Sequence, residues 1–169
     1  MHSINVKLLS SEQTQAFDEE YVSDQLFTQI TPYYDIYSLQ GQINILDIGG
    51  GNGVYADRLI HTYANSHVTV LEPDDYLLGK NQKHERKTVI KGTFQDTSLP
   101  SHSFDVIQFN WVLHHFVTES YEGCKQLQLD ALKEARRLLK PGGRIVILEN
   151  FYDGIISDNA PGRLIYELT

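Results

Sequence analysis

The 169-residue sequence is poor in cysteine, methionine and tryptophan, with one residue of each. Because Cys124 is the only cysteine, no disulfide can form within the chain, which fits a reducing compartment, and we expect a cytoplasmic protein. Long apolar runs are missing too, since no stretch approaches the ~20 residues that cross a bilayer. The first ten residues, "MHSINVKLLS", lack the charged-then-apolar pattern of a signal peptide. The sequence therefore predicts neither a membrane partner nor a secretory leader.

Positive charge is also scarce, with 14 lysines and arginines against 22 acidic residues and a formal net charge of −8. No basic patch is present, which disfavours binding to nucleic-acid phosphates. The cysteine and histidine residues show no metal-ligand spacing, so we expect no metal site. What the sequence does contain is an ordinary hydrophobic content of 41%, enough for the core of one domain.

An N-terminal segment precedes the regular part of the chain. Residues 11–31 predict a helix, because apolar residues recur four apart from Val22, and Pro32 ends it. The following stretch, "PYYDIYSLQGQ", predicts a connection. We interpret residues 1–40 as a helical extension or lid. Its tyrosines have two open roles, lining a lid or packing in the core: Tyr33, Tyr34 and Tyr37.

From residue 41 to residue 169 we expect one core domain. Apolar segments of strand length alternate with segments of helical periodicity, a pattern typical of crossover units. This predicts an α/β fold with a doubly wound, mostly parallel sheet of about five strands. The predicted strands are residues 43–48, 67–72, 87–92, 104–110 and 144–150, and the predicted helices are 54–64, 74–82 and about 120–139, the last ended by "KPGG".

The stretch "ILDIGGGNG", residues 45–53, joins the first strand to a helix through four glycines. In an open parallel sheet, ligands bind beyond the carboxyl ends of the strands, where the strand order reverses. Glycine permits both the sharp turn and a close approach of the ligand to the backbone. A ligand-binding loop is therefore favoured over a simple glycine-rich turn.

Glu72 ends the second predicted strand, 19 residues after Gly53. An acid about 20 residues beyond such a loop typically accepts hydrogen bonds from ribose hydroxyls. A carboxylate suits a ribose diol because it accepts two hydrogen bonds at once. Because the loop and the acid occur together, we favour a ribose-binding role for Glu72, and thus a nucleoside-containing ligand, over the alternative that Glu72 is only solvated at the end of a strand.

Four segments in order resemble the class I S-adenosylmethionine-dependent methyltransferases, in particular their small-molecule branch. They are "ILDIGGGNG" (45–53), "VLEPDD" (70–75), "GTFQDTSLPSHSFDVIQFNWVLHHF" (92–116) and "ALKEARRLLKPGGRIVILEN" (131–150). The resemblance covers roughly residues 40–150. It implies a Rossmann-like fold, S-adenosyl-L-methionine as cofactor, S-adenosyl-L-homocysteine as product, and methyl transfer to a small molecule by in-line displacement.

The resemblance also implies a set of cofactor-binding residues. Asp47 would support the loop and the cofactor ammonium, the glycines would pass the methionine part, and Glu72 would take the ribose. Thr93 stands where many relatives carry an aspartate that accepts from adenine. The whole implied set is Asp47, Gly49, Gly50, Gly51, Gly53, Glu72, Pro73, Thr93, Phe94, Asn110 and Trp111.

The catalytic residues are left open by the sequence. His114 and His115 follow the fourth strand, where the acceptor would lie, and either a base or a structural role is possible. For Glu149, at the end of the fifth strand, we favour a structural contact to a neighbouring amide. The DNA- and RNA-methylating relatives often carry Asn/Asp/Ser-Pro-Pro-Tyr/Phe after the fourth strand, whereas residues 110–113 are "NWVL".

Two other functions stay open. A nicotinamide-dependent oxidoreductase would want G-x-G-x-x-G/A, but Val54 stands where that pattern needs a small residue. A cofactor-binding domain without turnover is the second. The family sheet normally has seven strands, so the sequence also predicts a truncated C-terminus, with a helix from Pro161. We expect self-association through the exposed fifth strand or that helix.

Overall fold

A computed structural model describes residues 22–39, 41–150 and 163 of the chain. Five parallel strands form one sheet in the order β3-β2-β1-β4-β5. They are β1 (Ile43–Ile48), β2 (Ser66–Glu72), β3 (Lys87–Lys91), β4 (Phe104–Asn110) and β5 (Leu139–Leu148). The predicted α/β fold with a doubly wound parallel sheet is confirmed.

Within residues 22–39 and 41–150, five helices flank the sheet, and two short 3-10 turns follow β3 and β4. The order of β1, β2 and β3 runs towards one edge, and β4 then returns to the other side of β1. The strand order therefore reverses between β1 and β4. The helices are α1 (Asp24–Ile30), α2 (Pro32–Ser38), α3 (Val54–Thr62), α4 (Asp75–Lys80) and α5 (Tyr121–Leu138), and the 3-10 turns are Phe94–Asp96 and Leu113–His115.

Alternate residues of β1 supply the two faces of the core, as the period of a strand requires. Ile43 and Ile45 pack with residues of α1, α2 and α3, including Phe27, Tyr34 and Leu59. Leu46 and Ile48 pack on the other face with α5, through Leu127, Ala131, Ala135 and Leu138. Because β1 is covered on both sides, the residues at its carboxyl end are held rigidly.

The N-terminal segment contains a second helix where the sequence predicted a connection. Pro32 is the first residue of α2, a position at which proline is favoured because its N–H is not needed. The predicted end of the first helix is right, since α1 ends at Ile30, but the prediction missed that the same proline starts α2. The predicted helix over 11–31 is wrong at Val22 and Ser23, which are not helical, because Ser23 caps the start of α1; its part before residue 22 lies outside the described residues.

The fifth strand begins earlier than predicted. Helix α5 ends at Leu138, and "KPGG" belongs to β5. Phe104 pairs with Leu139 and Val106 pairs with Arg144. An interval of two positions on β4 therefore lies opposite an interval of five positions on β5, which makes a bulge. The irregular register lets Pro141 and the glycines lie within a strand, because a bulge removes the ladder hydrogen bond that proline lacks.

Of the C-terminal helix predicted from Pro161, Arg163 alone is among the described residues, and it is helical and exposed; the rest falls outside them. Among the strands that the structure describes, β5 is one edge of the sheet and β3 is the other. In the described ranges, no helix combines the length and the hydrophobicity that a membrane span requires.

Candidate functional site

The glycine loop leaves β1 and enters α3 with three residues in the left-handed region. Gly49, Gly51 and Gly53 have φ values of 62°, 55° and 79°. Such angles strain any residue with a Cβ, so the glycine-rich sequence follows from the turn itself. The N–H of Gly49 donates to the Leu71 carbonyl at 2.8 Å, which fixes the loop to the end of β2.

The four loop glycines differ in what a side chain would meet. A methyl group at Gly49 would lie 2.7 Å from Val112 Cγ2, and one at Gly50 would lie 2.6 Å from Asp47 Oδ2. At Gly53 it would overlap Asn81 Oδ1. At Gly51 the nearest atom of the described residues is Leu77 Cδ1, at 3.9 Å. Of these four, Gly51 is the one that faces open space, which is where a ligand can approach the backbone.

Glu72 lies at the end of β2 and is 5% exposed. Its Oε2 accepts from the Gly51 N–H at 3.1 Å, and its Oε1 accepts from the Asp74 N–H at 2.9 Å. Burial raises the pKa of Glu72, and these two N–H groups partly offset the rise. The carboxylate thus holds the loop, and each oxygen keeps a second lone pair with which it can accept from a ligand hydroxyl.

Asp47, the penultimate residue of β1, is 1% exposed. Within the described part of the chain, no hydrogen-bond partner reaches its Oδ2. Burial raises the pKa of Asp47 to about 7, against a lowering by the neighbouring Gln108 amide and a further rise from the Glu72 charge. A buried carboxyl with one oxygen unsatisfied is costly on its own, and a cationic ligand group would relieve that cost.

A polar chain runs from Asp47 to the N-terminal helices. Gln108 is the cross-strand partner of Asp47 on β4, and its Nε2 faces the carboxyl outside good hydrogen-bond geometry. Gln108 Oε1 accepts from the hydroxyl of the buried Tyr34, which lies 3.4 Å from the Tyr55 hydroxyl. Burial is the main cause that raises the pKa of Tyr34.

The three tyrosines left open by the sequence have different surroundings. Tyr34 is in the core, Tyr37 donates to the Gly142 carbonyl at the far end of the sheet, and Tyr33 is 50% exposed. Core packing is therefore the role of Tyr34. A lid formed by residues 1–40 stays a prediction, because residues 1–21 are not among those described.

Three further residues of the implied cofactor-binding set follow β2 and β3, and two of them, Thr93 and Phe94, are predicted beside adenine. Pro73 is partly exposed next to Glu72. Thr93 Oγ1 donates to Asp96 Oδ2 at 3.0 Å. Phe94 is buried edge-on against Phe109, so its ring belongs to the core. Whether these residues hold adenine stays a prediction.

The end of β4 carries two further predicted residues. Asn110 Oδ1 is buried and has no hydrogen-bond partner among the residues that the structure describes. Trp111 has a φ of 52°, rare for a bulky residue, and its N–H donates to the Leu148 carbonyl at 2.8 Å. Strained backbone of this kind concentrates at functional sites. The bend at Trp111 directs the chain across the carboxyl ends of the strands.

The two histidines sit in the 3-10 turn after this bend. His114 Nδ1 lies 2.9 Å from Glu149 Oε2, and Glu149 Oε1 accepts from the Leu113 N–H at 2.7 Å. The structural contact that we favoured for Glu149 is thus present, and the histidine pairing adds to it. The His114 and His115 rings are 4.0 Å apart. Burial is the main cause that lowers the pKa of His115, to about 4.

Sequence reasoning missed two residues that hold the loop. Asn81 Nδ2 donates to the Gly51 carbonyl at 2.9 Å, and Lys87 Nζ pairs with Asp57 Oδ1 at 2.6 Å below the start of α3. Neither contact has a signal in the sequence, because each joins residues about 30 positions apart. Gln108 did have one, since an amide inside an apolar strand suggests a buried polar partner.

These residues fit an S-adenosyl ligand. The open space at Gly51 allows close approach, and the unsatisfied oxygen of Asp47 suits an ammonium group. Glu72 keeps acceptor capacity for a diol. Among the described residues, no group of three or more His, Cys, Asp or Glu side chains could hold a metal ion.

A family model described as a methyltransferase domain matches residues 46–147. Among curated proteins, the chain is similar to the ubiquinone/menaquinone biosynthesis C-methyltransferase UbiE of Allorhizobium ampelinum, with 31% identity over 108 residues. That match covers 62% of this chain and 40% of the relative. The chain therefore spans well under half the length of this relative.

Solved structures share the fold. A putative sarcosine dimethylglycine methyltransferase from Galdieria sulphuraria has a TM-score of 0.65 at 17% identity, covering 98% of this chain and 62% of that one. The plantazolicin methyltransferase BpumL, solved with a substrate analogue and SAH, has a TM-score of 0.63 at 16% identity, covering 82% and 52%. At these identities the likeness concerns the fold alone.

Proposed function

The chain belongs to the methyltransferase domain family, with the fold of the class I enzymes that use S-adenosylmethionine, and from this premise we propose that it binds that cofactor and transfers its methyl group to a small molecule. The observation that carries the proposal is the pairing of open space at Gly51 with the unsatisfied, buried carboxyl oxygen of Asp47. Both lie at the reversal of strand order, where ligands of this fold class bind.

In this proposal, each residue contacts a different part of the cofactor. The carboxyl of Asp47 receives the ammonium of the methionine part, and the backbone at Gly51 passes beside it. Glu72, while holding the loop, accepts hydrogen bonds from the ribose hydroxyls. Thr93 and the main chain at Phe94 border the adenine, and Asn110 and Trp111 border the sulfonium.

Bound there, the cofactor supplies an already activated methyl group. The protein then contributes mainly alignment and exclusion of water, since in-line displacement depends on the approach of the acceptor. The BpumL structure was solved with SAH, which supports the cofactor assignment by analogy of fold. A small-molecule acceptor is supported by the family and by the net charge of −8, which is unfavourable for nucleic acid.

Titration calorimetry with S-adenosylhomocysteine tests the cofactor assignment. We expect Glu72→Ala to weaken binding by about 1.5–3 kcal/mol, because charge-assisted hydrogen bonds to the ribose and to the Gly51 N–H are lost. Glu85→Ala, at an exposed acid between α4 and β3, is the matched control and should bind as the wild type.

The single tryptophan gives an independent readout of the same event. Trp111 fluorescence should change on adding S-adenosylhomocysteine and should not change with NADH at equal concentration, after correction for absorbance. Binding of NADH but not of S-adenosylhomocysteine would favour the nicotinamide-dependent alternative. Equal affinity in the wild type and the Glu72 variant would contradict the ribose role.

A further inference from the structure

The carboxyl ends of β4 and β5 bring together a histidine and a carboxylate. His114 Nδ1 lies 2.9 Å from Glu149 Oε2, and Glu149 Oε1 is held by the Leu113 N–H at 2.7 Å. The Glu149 side chain is 12% exposed and the His114 side chain is 49% exposed. The carboxylate is therefore fixed within the protein, and the imidazole reaches outwards from it.

This geometry decides which ring nitrogen carries the proton. Burial alone would raise the pKa of Glu149, but hydrogen bonds from His114 and from the Leu113 N–H outweigh it and lower that pKa. An ionised carboxylate only accepts hydrogen bonds, so Nδ1 of His114 must be the protonated nitrogen. In the neutral ring, Nε2 then carries a lone pair that can accept a proton.

The 3-10 turn that carries His114 lies next to the glycine loop through Val112. A methyl group on Gly49 would lie 2.7 Å from Val112 Cγ2, so the loop packs against the residue just before the 3-10 turn. Gln128 on α5 donates to the Leu113 carbonyl at 3.0 Å and supports the turn from behind. His114 thus projects from an element that is braced on one side by the loop and on the other by α5.

We propose that His114 Nε2 is the general base that takes the proton of the methyl acceptor, with Glu149 as its positioning residue. This inference rests on the proposed function and narrows its substrate class. The acceptor would be one that must lose a proton as it is methylated, such as a phenolic hydroxyl or an acidic carbon. A neutral amine can attack with its own lone pair and does not require a base in that step.

Proton and electron pairs balance in this step. The acceptor gives its proton to Nε2 of His114, and the electron pair left on the acceptor atom forms the bond to the methyl carbon. The bond from that carbon to sulfur breaks, and its electron pair stays on sulfur. The imidazolium that results is stabilised by the charge of Glu149, and the ring, 49% of whose side chain is exposed, returns the proton to solvent.

The surroundings of the neighbouring His115 make it unsuitable as the general base. Burial and the charge of His114 lower its pKa to about 4, which makes it a weak base at neutral pH. Its ring packs at 4.0 Å from the His114 ring and limits the orientations that His114 can take. The two adjacent histidines of the sequence thus differ in function.

Nitrogen-15 NMR of the histidine rings tests the pair without any acceptor. In the wild type, at a pH where the ring is neutral, His114 should be the Nδ1–H tautomer, identified by loss of its signals in His114→Gln. In Glu149→Gln the population should shift towards the Nε2–H tautomer, which is the commoner form of free imidazole side chains. A wild-type His114 in the Nε2–H form, or a tautomer unchanged by Glu149→Gln, would overturn the proposal.

A rate measurement tests the chemistry on the intact chain. Release of S-adenosylhomocysteine is followed with S-adenosylmethionine and a panel of phenols. His114→Gln should slow release on the order of 100-fold or more, while its affinity for S-adenosylhomocysteine stays at the wild-type value. The control is His67→Gln, at the amino end of β2, which should keep the full rate. A His114→Gln protein as fast as the wild type would overturn the base role.

Failure of the proposed function has a different signature. A wild-type protein that does not bind S-adenosylhomocysteine refutes the cofactor assignment, whatever tautomer His114 adopts. A wild-type protein that binds it but shows the wrong tautomer refutes only the histidine–glutamate pair.

Discussion

At the scale of single residues, the carboxyl of Asp47 couples ligand binding to pH. Its pKa is raised from 3.8 to about 7, chiefly by burial. Because the native state holds this proton more tightly than the unfolded chain does, the ligand-free protein loses stability as pH rises between those two values. We expect the melting temperature to fall from pH 5 to pH 7.5 in the wild type, and to fall less in Asp47→Asn.

The same carboxyl should give cofactor binding the opposite pH trend. An ammonium beside Asp47 favours its ionised form, so binding near pH 6.5 should release a proton and should tighten as pH rises. Calorimetry with S-adenosylhomocysteine in two buffers of different ionisation enthalpy measures that proton. The raised pKa of Glu72 adds a contribution of the same sign, which Asp47→Asn leaves in place. Proton release that is equal in both proteins would contradict the role of Asp47.

At the scale of the element, the glycine loop requires glycine for two different reasons, which are a positive φ at one position and a lack of space for a side chain at another. Gly51 needs its left-handed φ of 55° but faces open space, whereas a side chain at Gly50 would collide with Asp47 Oδ2 at 2.6 Å. Gly51→Ala should therefore cost only about 1–2 kcal/mol of folding free energy but should abolish binding of S-adenosylhomocysteine, because the methyl group occupies the ligand's path. Thermal unfolding and calorimetry measure the two effects.

Gly142 supplies the matched control for backbone strain. Its φ is 82°, and an alanine methyl group there would have no atom of the described residues within 4 Å. It sits at the opposite end of the sheet, near the start of β5. Gly142→Ala should lose a similar amount of stability and should bind normally. If both alanine variants lose binding equally, general destabilisation explains the loss and the loop does not approach the ligand.

The same elements show how much of the fold and of the site could be predicted from the sequence alone. Strands β1, β2 and β4 are buried on both faces, so their continuous apolar runs predicted their positions well, and the reversal point located the loop. The early start of β5 was missed because proline and glycine normally end a strand, and only the pairing with Phe104 reveals the bulge. The contacts of Asn81 and Lys87 depend on partners 30 positions away, which local patterns do not encode.

At the scale of the whole molecule, the two edges of the described sheet differ in chemistry. On β3, Lys91, whose side chain is 59% exposed, lies two residues beyond the 38%-exposed Val89, and an exposed lysine on an edge disfavours pairing between chains. On β5 the segment "RIVIL" exposes 40% of Ile147. We expect self-association through β5, which is one of the two routes that the sequence predicted; the other, the C-terminal helix, lies almost wholly outside the described residues.

Light scattering over a dilution series tests this expectation. The wild type should gain mass with concentration, and Ile147→Lys should remain a monomer with an unchanged circular dichroism spectrum. Val89→Lys, on the opposite edge, is the matched control and should associate as the wild type does. A wild-type monomer at all concentrations would contradict the prediction.

The central pairing of β1 with β4 has a consequence for how the protein folds. Asp47 and Gln108 lie side by side although 61 positions separate them, and Val112, just beyond β4, packs against Gly49. Parallel pairing over such a separation requires closure of a long loop, which slows folding relative to local structure. Helices and the β1–β2 unit can form earlier, but the site cannot exist before β4 docks. During refolding, the capacity to bind ligand should therefore appear in the last kinetic phase, later than the helical signal.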